Sequence, residues 1–169
     1  MNKKNIILIG MPGVGKSSAG VVLAKALGYK FADSDLIIQE KTGMLLKEII
    51  NKKGIEGFIE IENNVNKAIN MENTVIATGG SVIYGEEAME HLKKTGIIVY
   101  LKASYEIICA RLGDLKGRGV VIKEGQDLRA LYDERAPLYE KYADLIVEEK
   151  GQSIRETVHI IENILKDNG

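Results

Sequence analysis

The chain has 169 residues, of which 45% are hydrophobic and 28% charged, and a formal net charge of −1. That length suits one domain with its own core, and the balanced charge supplies no field that would draw nucleic acid or an anionic membrane. The single cysteine, Cys109, excludes an internal disulfide and a cysteine-rich metal site.

Taken along the chain, Lys3 and Lys4 lead straight into a short apolar run, Asn5 to Ile9, with no signal-peptide layout. No later run approaches the ~18 apolar residues that span a bilayer, so a cytoplasmic protein is expected. The first run is followed by Gly10-Met11-Pro12-Gly13-Val14-Gly15-Lys16-Ser17 and then by a helical pattern from Ser17 to Leu27. Strand, glycine-rich turn and helix in this order match the phosphate-binding P-loop, G-x-x-x-x-G-K-[ST]. Glycines let successive N–H groups point inward at phosphate oxygens, and the helix N-terminus adds free N–H groups and a positive dipole end. Lys16 is expected to reach the β- and γ-phosphates, and the Ser17 hydroxyl to bind Mg²⁺. Gly13, Val14, Gly15 and Ser18 complete the expected nucleotide contacts.

A weak strand, Lys30 to Ala32, ends in Asp33-Ser34-Asp35. Two carboxylates with one residue between share a face if the segment is extended. One could hold Mg²⁺ through water while the other takes a proton from an attacking hydroxyl. Either could instead cap a helix from Leu36 to Lys41. A helical pattern follows from Ile55 to Met71, with apolar residues near a 3.6 period. The run Thr74 to Thr78 ends in Gly79-Gly80, and Glu86 to Lys94 reads as a shorter helix. The run Ile97 to Leu101 precedes Ser104, a plausible cap for a helix to Leu112. Cys109, in the apolar stretch of that helix, is expected to be a buried, inert thiol.

Three glycines between residues 113 and 119 predict a mobile loop, and its Arg118 is a candidate lid residue over the phosphates. Arg111, just before it, could stack its planar guanidinium on adenine. A helix from Leu128 to Tyr142 contains Pro137, which predicts a bend or break. Arg135 there could grip a carboxylate bidentately or pair locally with Asp133 or Glu134. A last strand, Leu145 to Val147, precedes a helix from Ser153 to Lys166 opened by a capping box of Ser153 and Glu156. His91 and His159 lie in separate amphipathic helices and are expected to be ordinary surface or boundary residues.

Apolar runs with little alternation indicate strands covered on both faces, so the fold class is α/β with a parallel sheet between helices. In such sheets ligands bind beyond the carboxyl ends of the strands. The P-loop, the Asp-Ser-Asp segment and Gly79-Gly80 all fall at such ends, which predicts a single site.

The set GMPGVGKSS, Phe31-Ala32-Asp33-Ser34-Asp35, Thr78-Gly79-Gly80, the Arg118 loop and Glu134-Arg135-Ala136-Pro137-Leu138-Tyr139 resembles shikimate kinase over nearly the whole chain. The resemblance implies one three-layer α/β/α P-loop kinase domain, related to the nucleoside monophosphate kinases. Its five-stranded parallel sheet would have order 2-3-1-4-5, with acceptor-binding helices about residues 35–62 and a lid about residues 113–124. It implies transfer of the ATP γ-phosphoryl group to the 3-hydroxyl of shikimate by a monomer with Mg²⁺ as cofactor. By position, Lys16 and Arg118 would contact phosphates, and Ser17 with Asp33 would hold Mg²⁺. Asp35 would be the base, Gly79 and Gly80 would let the backbone approach the acceptor, Arg135 would hold its carboxylate, and Arg111 would cover adenine.

Two positions depart from the family pattern. Phe-Arg-x-x-Glu is replaced by Phe58-Ile59-Glu60-Ile61-Glu62, so Ile59 stands where an arginine would share the acceptor carboxylate. Losing a charge-assisted hydrogen bond of roughly 1.5–3 kcal/mol predicts about ten- to a hundredfold weaker acceptor binding. Thr78 replaces the first of three glycines, adding bulk near the acceptor. Glu62, without its cationic neighbour, leaves open an ammonium-bearing acceptor such as homoserine, while Lys47, Lys52 or Lys53 could instead restore the charge. A nucleotide-binding protein without kinase activity is the remaining alternative.

Overall fold

The computed structural model describes residues 5–112 and 120–169. Arg118 and the glycine-rich stretch around it lie outside the described residues. Five strands form one parallel sheet: β1 (Asn5–Ile9), β2 (Lys30–Asp33), β3 (Thr74–Ala77), β4 (Gly96–Ala103) and β5 (Leu145–Glu149), in the order β2-β3-β1-β4-β5. The expected strand order is therefore observed. The central strand β1 is buried along its whole length, which is why its sequence is apolar without alternation. Register at its entry is fixed by Asn5, whose side chain donates to the Met71 carbonyl at 2.7 Å and accepts from the Thr74 N–H at 3.1 Å.

Around the sheet lie helices α1 (Lys16–Leu27), α2 (Ser34–Thr42), α3 (Leu46–Lys67), α4 (Glu86–Thr95), α5 (Tyr105–Arg111), α6 (Leu128–Tyr142) and α7 (Ile154–Asp167). A short 3-10 turn, Val82–Tyr84, follows β3. The main core is built on β1, β3 and β4 with Leu23, Met89, Leu92, Tyr139, Val158 and Ile161 from the helices. A second, smaller core of Ile38, Ile49, Phe58, Val65 and Val121 lies under α2 and α3. It joins the helices flanking one end of the site to the chain that follows residue 119.

Three expectations change. The helix expected from Ile55 is present, but α3 begins earlier, at Leu46, where the Leu45 N–H donates to Glu48 Oε2 at 2.9 Å. It bends at Gly54, whose φ of 72° and ψ of 178° are non-helical; this left-handed φ suits a residue without Cβ. Pro137 does not break α6, which runs through it from Leu128 to Tyr142. Cys109 is exposed, not buried. On α5 the inward positions are Ile108 and the following Leu112, and Cys109 is rotated about 100° away from Ile108 by the helical period.

Candidate active site

The turn between β1 and α1 is closed by Val14 N–H donating to the Met11 carbonyl at 3.2 Å. Gly13 and Gly15 adopt φ of 80° and 102°, a region that β-carbons disfavour. Gly15 caps α1 without any side-chain hydrogen bond, so the N-terminal N–H groups stay available. Lys16 is buried and folds back over the loop, donating to the carbonyls of Gly10 at 2.7 Å and Met11 at 2.9 Å. Burial pulls its ammonium down to about 8, against the opposing pull of Asp35.

Ser17 donates to Asp33 Oδ2 at 2.8 Å, and the other Asp33 oxygen accepts the Asp35 N–H at 2.9 Å. Asp33 therefore does both things the sequence allowed: it caps α2 and it faces Ser17. That frees Asp35, which is held by the first turn of α2. Burial, and next the neighbouring Asp33 carboxylate, raise Asp35 to about 6, with Lys16 pulling the other way.

Asp35 lines a cleft of about 490 Å³ together with Gly13, Gly15, Lys16, Ser17, Ser18, Glu62, Gly79, Gly80 and Arg135. The convergence expected from the strand ends is thus present among the described residues. Gly79 and Gly80 form its floor. A β-carbon on Gly79 would lie 2.7 Å from Asp35 Oδ1 and 2.9 Å from Glu62 Oε2; one on Gly80 would lie 2.9 Å from Arg135 Nη1. Both carboxylates and the guanidinium thus face the same strip of bare backbone. Gly79→Ala is expected to raise the acceptor KM about tenfold or more with little change for ATP, since sub-ångström displacement at a reacting centre is costly; steady-state kinetics with each substrate varied in turn will show it.

Glu62 is only 2% exposed. Its Oε1 accepts from the Ser81 hydroxyl at 2.6 Å, while Oε2 has no hydrogen-bond partner. Burial raises it to about 7, the Ser81 bond opposing. Sequence reading missed Ser81; its place directly after the Gly79-Gly80 pair was the available signal.

Arg135 is 1% exposed yet pairs with neither Asp133, which meets Arg129 at 3.3 Å, nor Glu134, which meets Lys123 at 3.1 Å. Its Nη2 donates to the Val121 carbonyl at 2.7 Å. A buried cation with no carboxylate against it is costly unless an anion is supplied.

Thr78 lines the cleft, with its hydroxyl turned to the sheet and donating to the Leu8 carbonyl at 2.8 Å. Ile59 does not line the cleft: it is half-buried against the smaller core. Lys47, Lys52 and Lys53 are exposed and do not line it either.

Arg111 flanks a second hollow of about 230 Å³ that shares Gly13, Gly15 and Ser18 with the cleft and is closed by Gln152 and Ile154. Its Nη1 donates to the Val14 carbonyl at 3.1 Å, and its Nη2 lies 3.6 Å from Glu149 Oε1. A guanidinium fixed to the outer side of the P-loop in this way presents a flat face beside the hollow. His91 is used structurally, its Nε2 bonding the Ile69 carbonyl at 2.6 Å.

Residues 12–166 match the family model for shikimate kinase. The chain belongs to the shikimate kinase family. It is an ATP-dependent kinase with a P-loop fold. It is 40% identical to the shikimate kinase of Thermodesulfovibrio yellowstonii over 97% of this chain and 94% of that one. It is 35% identical to that of Caldanaerobacter subterraneus over 98% of this chain and 99% of that one. Among solved structures, shikimate kinase from Acinetobacter baumannii in complex with shikimate superposes with a TM-score of 0.89 at 34% identity, covering 99% of this chain and 95% of that one. The enzyme from Aquifex aeolicus gives 0.84 at 33% identity, covering 97% of each chain.

Proposed function

We propose that this kinase transfers the γ-phosphoryl group of ATP to the 3-hydroxyl of shikimate, giving 3-phosphoshikimate and ADP. The observation that carries the reading is the buried Arg135 guanidinium, which has no carboxylate paired with it among the described residues and shares one cleft with Asp35 and Lys16. An acceptor carboxylate neutralises Arg135 and fixes the ring over Gly79 and Gly80. Its hydroxyl then lies at Asp35, between the carboxylate and the P-loop. As the acceptor oxygen attacks phosphorus, the bond from phosphorus to the bridging oxygen of ADP breaks and the hydroxyl proton passes to Asp35. Lys16 leaves the loop carbonyls for the phosphates, and Arg118 adds charge stabilisation from the lid about residues 113–124. The nucleotide base lies in the hollow beside Arg111.

Ser17 and Asp33 are the residues that would hold Mg²⁺. Their oxygens are already 2.8 Å apart at the mouth of the P-loop. Mg²⁺ usually takes one or two protein oxygens and fills its shell with phosphates and water, which suits a site with so few protein donors. When bound, the ion neutralises charge on the β- and γ-phosphates. The enzyme acts as a monomer and works in the cytoplasm, where its donor ATP is abundant.

Glu62 favours a second reading. Its unpartnered, buried Oε2 faces Gly79 and would suit the ammonium of a hydroxy-amino acid such as homoserine, with the carboxylate on Arg135. Initial rates of ADP release with each acceptor separate the two. Shikimate is expected to give the higher kcat/KM by orders of magnitude; turnover of homoserine alone would overturn the assignment.

A further inference from the structure

Arg135 raises a question the reaction does not answer. A buried guanidinium facing a buried carboxylate, Glu62, and a half-buried one, Asp35, should be drawn onto them and so quench the acceptor site, yet it pairs with neither. Besides the Nη2 bond to the Val121 carbonyl at 2.7 Å, a restraint acts at Nε. The Arg135 Nε donates to the Tyr84 hydroxyl at 3.4 Å, and the guanidinium carbon lies 5.4 Å from the centre of the Tyr84 ring. The same hydroxyl donates to Glu134 Oε2 at 2.5 Å, and the other Glu134 oxygen accepts from Lys123 Nζ at 3.1 Å. A chain Lys123–Glu134–Tyr84–Arg135 therefore carries negative charge to the back of the guanidinium without placing a carboxylate against it.

We propose that Tyr84 is a positioning residue that holds Arg135 away from the carboxylates of the cleft floor, leaving Nη1 turned to Gly80 for the acceptor's carboxylate. The inference deepens the proposed function, on which the identity of that acceptor rests. Three features support it. Tyr84 follows the Gly79-Gly80 floor through the Val82–Tyr84 turn, so the backbone that meets the acceptor also sets the arginine. Glu134 is adjacent to Arg135 on α6 but points to the phenol, not to its neighbour. The Tyr84 bond is also the largest influence holding the Glu134 carboxyl below its usual range, so the phenol takes part in the charge pattern of the chain. A phenol serves here where a carboxylate would not: it polarises the cation but does not neutralise it, so the arginine keeps its appetite for an anion. With Ile59 offering no second cation, acceptor affinity depends on how this one is aimed.

Tyr84→Phe keeps the ring and removes the link. At saturating ATP it is expected to raise the shikimate KM about five- to tenfold, the scale of a weakened charge-assisted hydrogen bond, with kcat, the ATP KM and Tm unchanged. Glu134→Gln is expected to act in the same direction, and the double variant to cost little more than either alone because both cut one path. The Arg135 Nε–Hε resonance of ¹⁵N-labelled protein reads the positioning without any acceptor, and it is expected to shift in Tyr84→Phe. An unchanged shikimate KM with an unchanged resonance would overturn the inference, and so would equal increases in both KM values or a fall in Tm. Absence of shikimate turnover in the unsubstituted enzyme would instead defeat the proposed function, and the resonance alone would then judge Tyr84.

Discussion

Lys16→Ala is expected to lower kcat by about a thousandfold or more, on the scale of losing a principal charge-stabilising donor. The ammonium donates to the carbonyls of Gly10 and Met11. These are neutral acceptors, weaker than the charged phosphate oxygens that replace them. The same burial that lowers this group to about 8 gives the effect a pH signature. The charged form binds phosphate, so the kcat/KM for ATP, which reports the free enzyme, is expected to fall as pH rises through about 8. In Lys16→Ala that basic limb disappears. Circular dichroism melts of both proteins check that the loss is chemical, since among the described residues the side chain makes no ion pair whose removal would unfold the domain.

Asp35→Asn should have the next largest effect, a drop in kcat of about a hundred- to ten-thousandfold, the range expected for a positioned general base. Asparagine fills the same volume and can still accept a hydrogen bond, but it cannot take the proton. ATP binding measured by calorimetry is expected to stay near the original value, because Asp33, not Asp35, faces Ser17. The sign of the pH effect follows from the shift. Asp35 is raised to about 6 and must be ionised to act, so kcat/KM for the acceptor falls as pH drops through about 6. Glu62, raised to about 7 in the same cleft, titrates with it, so the acid limb belongs to the pair. Full activity in Asp35→Asn would remove this residue from the chemistry.

The phosphate side of the site was legible in the sequence because it is local. Residues 10 to 17 carry strand, turn and helix start within one contiguous stretch, and Asp33 and Asp35 sit where a parallel strand must end. The sheet order came from the family resemblance, not from periodicity, which cannot order parallel strands. What was hidden depends on distance in the chain. Tyr84 meets both Glu134 and Arg135 from a separate element, the turn after β3, and no spacing rule brings residues 84 and 134 together. The start of α3 at Leu46 was missed because Gly54 interrupts the period: its backbone restarts the helix on a new face. Cys109 was misplaced because α5 is one short amphipathic helix whose apolar stretch spans both its inner and outer sides. Pro137 was read as a breaker from its lost N–H alone, whereas Leu131, Arg135 and Tyr139 on the buried face of α6 hold that helix in place.

The central claim is that one cleft brings a nucleotide's terminal phosphate, held by Lys16, to an acceptor held by Arg135 and Asp35. Transfer of label from γ-³²P-ATP in a single turnover, with enzyme in excess and shikimate present, tests it most directly. The account predicts that the label appears in 3-phosphoshikimate and that omitting shikimate leaves it in ATP. Label released as inorganic phosphate at the same rate with and without shikimate would contradict it.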